Sequence, residues 1–143
     1  MTPTEAKHSV SVAAIITDDH GRALLIQRAD NRHWEPPGGV LELDETVEDG
    51  LRREVREETG LDIEPEQLTG VYKNMPRGII ALVFRAKVTG GQLATTDETT
   101  AFHWATAAEV GQLATEAYAV RVLDGLRSGA APAIRQHDGI RIA

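Results

Sequence analysis

Residues 39–61 read GVLELDETVEDGLRREVREETGL, and this stretch decides how the rest of the chain is read. Its middle, Thr46 to Thr59, is expected to be a helix, with Asp44 or Glu45 capping its start and Gly60 ending it. Stepping about 100° per residue from Glu54, Glu58 falls at about +40° and Glu57 at about −60°, while Val47, Leu51 and Val55 fall at about 20°, 60° and 100°. The three glutamates therefore lie beside or within the apolar stripe. The outward face is assigned to Glu48, Asp49, Arg52, Arg56 and Thr59. Carboxylates crowded next to a core repel one another unless positive charge joins them. Arg53, four residues before Glu57, supplies one charge, which leaves two readings: an Arg–Glu network, or a hard divalent cation that prefers clustered carboxylate oxygens.

The charge of the whole chain points to the same place. The formal net charge of −7 is concentrated between Glu42 and Glu66, where eleven acids face three arginines, and the remainder is nearly neutral. No basic footprint for duplex nucleic acid exists. The 143 residues, 41% hydrophobic and 26% charged, suit one globular domain spanning 1–143 and argue against disorder. The absence of cysteine excludes a disulfide framework, a thiol nucleophile and a thiolate zinc site. No apolar run is long enough to span a bilayer, and Met1 to Lys7 carries no leader signal. The expected location is cytoplasmic.

Outward from the helix, residues 8–17 and 22–28 read as strands joined by the turn Asp18-Asp19-His20-Gly21, a hairpin. Residues 29–39, holding Trp34 and Pro36-Pro37-Gly38-Gly39, read as a loop without regular structure. Strands are expected at 61–63, 68–73, 78–88 and 101–105. Thr106 caps a short helix through Leu113, and a second helix runs over 116–128 to Gly129. The tail holds a His137-Asp138-Gly139 turn and an added edge strand. This order suggests an α/β class fold, a mixed α+β sheet with helices on both faces. His33 and His103 read as structural, and His8, His20 and His137 as surface residues.

Gly39-x5-Glu45-x7-Arg53-Glu54-Val55-x-Glu57-Glu58-x-Gly60-Leu61 resembles the Nudix hydrolase signature at every fixed position. The preceding Trp34-x-x-Pro37-Gly38-Gly39 also looks like the family. The resemblance implies an α/β/α sandwich whose box forms a loop–helix–loop holding Mg²⁺ or Mn²⁺. It implies hydrolysis of a nucleoside diphosphate linked to another group, by attack of water at phosphorus. Glu54, Glu57 and Glu58 would be metal ligands together with the Gly39 carbonyl, and Arg53 would orient a glutamate. Glu45 would support the metal site or the loop. One of the box glutamates, or Glu98 from outside the box, would take the water's proton. Homodimers are frequent among members. Asp44, Gly50 and Ala101 depart from the usual pattern without touching a fixed position, and Gly50, placed within the helix, suggests close packing against a neighbouring backbone.

The expected partner is a small nucleotide, not duplex nucleic acid or a membrane. Arg28, Lys73 and Arg77 are candidates for phosphate contact and Trp34 for stacking on a base. Two substrate classes fit: a (d)NTP, cleaved to NMP and pyrophosphate, or an ADP-ribose or nucleotide-sugar compound, the latter suggested by Pro76, fifteen residues after Leu61. Two other classes compete: a non-catalytic nucleotide sensor, against which the complete set of box carboxylates argues, and a structural acidic domain whose helix pairs with a basic partner, against which the placement of the carboxylates beside the core argues.

Overall fold

A computed structural model describes residues 6–127 and 129–143. The leader reading of residues 1–5 and the end of the last expected helix at Ser128 lie outside the described residues. The elements run β1 (Ser9–Ile16), β2 (Ala23–Arg28), β3 (Trp34–Glu35), β4 (Gly38–Val40), α1 (Val47–Thr59), β5 (Leu61–Asn74), β6 (Ile79–Gly91), β7 (Thr99–Ala105), α2 (Ala107–Leu113), α3 (Glu116–Leu126) and β8 (Ala133–His137). They form a five-stranded sheet in the order β4-β1-β6-β5-β8 and a three-stranded sheet β3-β2-β7. The larger sheet is mixed: β1 runs parallel to β6 and β5 parallel to β8, while β4 and β5 pair antiparallel with β1 and β6.

The core shows why β1 sits inside. Val12, Ala14 and Ile16 pack on one side with Leu51 and Val55 of α1, and Ala13 and Ile15 pack on the other with Ala119 and Val122 of α3. Alternate residues of a strand face opposite ways, so a strand apolar on both sides needs a layer on each. The result is the α/β/α arrangement that the sequence suggested.

The expected hairpin of the first two strands does not form. They share only the isolated bridge Thr17↔Ala23 and belong to different sheets. The turn signal is genuine: Asp18 Oδ1 accepts from the backbone N–H of His20 and Arg22, each at 2.9 Å. That turn redirects the chain to the second sheet, because β1 already has β4 and β6 as neighbours.

Other boundaries shift for local reasons. The Pro/Gly stretch is not wholly irregular, since Trp34 and Glu35 pair with β2 and Gly38–Val40 pair with β1. The two short strands expected after the helix are one, β5, bulged between Pro65 and Gln67. Proline is tolerated there because β8 pairs only with Gly70–Asn74, which leaves the other edge of β5 open at Pro65.

Thr46, not Asp44 or Glu45, caps α1, its side chain accepting from the N–H of Asp49 at 3.1 Å. Gly60 closes the helix in the left-handed region at φ 81°, as expected. Thr59 is fully buried, not outward, because its hydroxyl donates to the Val55 carbonyl at 2.6 Å and accepts from Leu61 N–H as the chain turns into β5. Gly50 packs against side chains, not backbone: a Cβ there would overlap Leu41 and stand 2.8 Å from Glu45 Oε1. The last helix stops at Leu126, capped by Arg127, short of Gly129. β8 supplies the expected edge strand, but His137 at its end is buried instead of surface-exposed.

A buried polar clip ties the last elements down. Asp124 of α3 accepts from the Tyr72 hydroxyl at 2.6 Å and from both Nε and Nη2 of Arg135 at 2.8 Å. It thereby joins α3, β5 and β8.

Candidate active site

Local chemistry builds the site outward from α1. Glu54 and Glu58 are one helical turn apart, so both side chains reach the same end of the sheet. There β4 passes over them. A Cβ on Gly39 would lie 2.7 Å from Glu54 Oε1, so only glycine lets the backbone approach that carboxylate. The Gly38 N–H donates to Glu58 Oε1 at 3.3 Å. Gly39→Ala is therefore expected to fold, because the flexible end of Glu54 can swing aside. Its hydrolytic rate should fall at least about tenfold with Glu54 displaced. A steady-state assay beside a thermal melt checks both halves of that result.

Arg53 organises the carboxylates. Its Nε and Nη2 form a fork on Glu45 at 2.9 and 2.6 Å, its Nη1 donates to Glu54 at 2.8 Å and to Glu57 at 3.3 Å, and Nη2 also reaches the Val40 carbonyl at 3.2 Å. The fork holds the Glu45 carboxyl down at about 2. Glu54 moves the other way: burial, reinforced by Glu57 and Glu45, outweighs Arg53 and raises it. Glu58 is pushed up to about 8, first by burial and then by Glu54 and Glu35, against the weaker pull of the Gly38 N–H and Arg28.

Of these groups Glu54 and Glu58 line a pocket of about 660 Å³ that also includes Arg28, Asp30, Glu35, Gly38, Gly39, Asp97 and Glu98. Glu98 thus reaches the site from outside the helix, and its carbonyl anchors the facing loop by accepting from Ala29 N–H at 2.8 Å. Glu57 stands apart, with its side chain 59% exposed and turned to Arg53. Among the described residues, no three acidic, histidine or cysteine side chains converge as a ready metal shell. The donor set nonetheless suits a hard cation. Glu54 and Glu58 are both raised first by burial and then by neighbouring carboxylates, and one guanidinium is shared among Glu45, Glu54 and Glu57.

Of the expected substrate contacts, Arg28 lines the pocket, paired with Asp30 at 2.6 Å and Glu35 at 3.2 Å. Arg77 lines an adjoining groove that shares Arg28, Asp30 and Glu35. Lys73, half-buried on β5, lines neither. Trp34 is not brought to the glutamates: it meets His103 edge-on at 6.3 Å in a separate cleft with Glu109 and Leu113. Neighbouring strand residues face opposite ways, so when Glu35 enters the pocket Trp34 must leave it. Glu35 and Asp30 are site residues that sequence reasoning missed. The period-two alternation about Trp34 was the available signal for Glu35.

Residues 7–124 match the family model described as NUDIX domain. A protein described as MutT-like, from Streptomyces ambofaciens, is 58% identical over 132 residues, covering 92% of this chain and 85% of that one. An ADP-ribose pyrophosphatase from Methanocaldococcus jannaschii is 41% identical over 97 residues, which are 63% of this chain and 57% of that relative's length. A solved structure of a NUDIX hydrolase from Nitrosomonas europaea superposes with a TM-score of 0.79 at 22% identity, covering 95% of this chain and 83% of the other, a likeness of fold.

Proposed function

The chain belongs to the Nudix hydrolase family and is a pyrophosphohydrolase, and we propose that its substrate is a (d)NTP, hydrolysed to NMP and pyrophosphate. The observation that carries the reading is the pair Glu54 and Glu58, half-buried in one pocket, with Glu54 close under Gly39 and tied through Arg53 to Glu45, and Glu58 accepting from the Gly38 N–H. A pocket so acidic repels a polyphosphate unless a cation joins the two. Family members generally use divalent metal ions, and Mg²⁺ or Mn²⁺ is the ion proposed here.

Glu54, Glu57, Glu58 and the Gly39 carbonyl are the residues that would hold it. When bound, the ion would supply charge neutralisation of the diphosphate and stabilise charge developing on phosphorus. The protein does the rest. Arg53 fixes the Glu54 carboxylate through its 2.8 Å bond. Arg28, held by Asp30 and Glu35, presents positive charge to the phosphates. Glu98, which lines the same pocket from outside the helix, takes the proton of the attacking water.

A second substrate, an ADP-ribose-like compound, is favoured by one feature, the adjoining groove with Pro76 and Arg77 in its wall. Among the described residues no helix is long and apolar enough to cross a membrane. The reading places the enzyme in the cytoplasm, where nucleotide pools are. The test is incubation with Mg²⁺ and a panel of (d)NTPs, oxidised dNTPs, ADP-ribose, NADH and nucleotide sugars, with products separated. NMP plus pyrophosphate from a (d)NTP supports the proposal. AMP plus ribose 5-phosphate transfers it to the second substrate, and no turnover with retained nucleotide binding replaces it with a sensor.

A further inference from the structure

Past Arg28 the pocket runs into the second groove, of about 380 Å³, walled by Tyr118, Arg77, Asn74 and the turn at Asp138–Ile140. Tyr118 lies in the first turn of α3, is half-buried and lines the groove. Arg121, three residues on, is 8% exposed and places its guanidinium carbon 4.7 Å from the Tyr118 ring centroid and 5.2 Å from that of Tyr72. Among the described residues no carboxylate lies within salt-bridge distance of Arg121, and Glu35 acts on it from farther off. Its Nη2 meets His137 Nε2 at 3.0 Å, and its Nε is buried without any hydrogen bond. In direct contact the buried charge is met by two tyrosine rings.

A cation held against one face of a phenol draws electron density toward itself and leaves the opposite face electron-poor. Such a face stacks most favourably on an electron-rich ring, and purines offer a larger and richer π surface than pyrimidines. We propose that Tyr118, backed by Arg121, is the platform on which the base of a purine nucleotide stacks while its diphosphate lies at Glu54 and Glu58. This assignment rests on the nucleotide-hydrolase reading above. It makes Tyr118 a substrate-binding residue and Arg121 a positioning residue that sets base preference.

The experiment measures kcat and KM for purine and pyrimidine (d)NTPs with wild type, Tyr118→Ala, Tyr118→Phe and Arg121→Met. Calorimetric titration with GMP and CMP runs beside it. Tyr118→Ala should raise KM for purine substrates at least about tenfold with kcat within about threefold, and weaken GMP by a similar factor. Tyr118→Phe should restore most of the affinity. Arg121→Met, if folded, should lose the purine-over-pyrimidine preference, and the Tyr118 variants decide the matter if it is not. Equal KM values for Tyr118→Ala and wild type, or a wild type indifferent to base, overturn the platform while hydrolysis itself persists. A wild type that hydrolyses no nucleotide overturns the functional reading instead, and GMP binding that still depends on Tyr118 would leave the platform standing.

Discussion

Glu58→Gln is expected to lose at least a hundredfold in hydrolytic rate and, without metal, to melt above the wild type at pH 8. Both effects come from one placement. The Glu58 carboxyl sits at about 8 because burial and the nearby Glu54 and Glu35 disfavour its charge. Its ordinary value is 4.5, so the folded protein holds a proton there that the unfolded chain has released. Stability from this group is full below pH 4.5 and declines as the pH rises to about 8.

Glutamine keeps an oxygen for the Gly38 N–H and carries no charge, so the decline disappears in the variant. The gain at pH 8 should be on the order of 2 kcal/mol, a rise of several degrees, and at pH 4 the two proteins should melt together. The same substitution removes an anionic oxygen from the proposed metal and phosphate site, which is why activity falls as stability rises. Thermal melts in chelator at two pH values, beside steady-state rates with Mg²⁺, read both. A variant as active as wild type, or one less stable at pH 8, contradicts the placement.

Asp124→Ala should cost about 3–5 kcal/mol and lower the melting midpoint by about 10 °C. The Asp124 side chain is 4% exposed, and all three of its bonds go to Tyr72 and Arg135. Removing it leaves a phenol hydroxyl unpartnered in the core and frees β8 from α3, so the loss exceeds that of one hydrogen bond. Tyr72→Phe, which keeps the Asp124–Arg135 pair, should cost only about 1 kcal/mol. Burial pushes the Asp124 carboxyl up, but the Arg135 fork and the Tyr72 hydroxyl outweigh it and hold it below its ordinary 3.8. Its contribution is therefore present above that value and lost as the pH falls through the lower, folded-state one. Urea titration at neutral pH measures the loss, and a thermal midpoint within two degrees of wild type would show that the clip is ornamental.

What the sequence disclosed depended on how local the signal was. The box lies within 23 consecutive residues, 39–61, so its helix, its glycine stop and the inward turn of Glu54 and Glu58 were legible from spacing alone. The cap was misplaced by one residue because Asp44, Glu45 and Thr46 are all acceptors, and only backbone geometry selects among them. The first two strands and the turn between them were visible, but a turn does not say to which sheet the chain returns. Glu35, Asp30 and the burial of His137 were hidden for a different reason. Each acquires its meaning from a partner brought in by the fold: Arg28 for the two acids, and Arg121 of α3 for the histidine. Trp34 was a candidate for base stacking because aromatic rings stack on bases, whereas strand alternation turns it toward His103.

Glu54 and Glu58 together are proposed to form a cation site for diphosphate hydrolysis. Titration of the protein with Mn²⁺, following the free ion by electron paramagnetic resonance, tests it most directly. The account predicts at least one Mn²⁺ bound per chain by wild type below millimolar concentration, and its loss in the Glu54→Gln, Glu58→Gln double variant. Equal binding by the two proteins would contradict it.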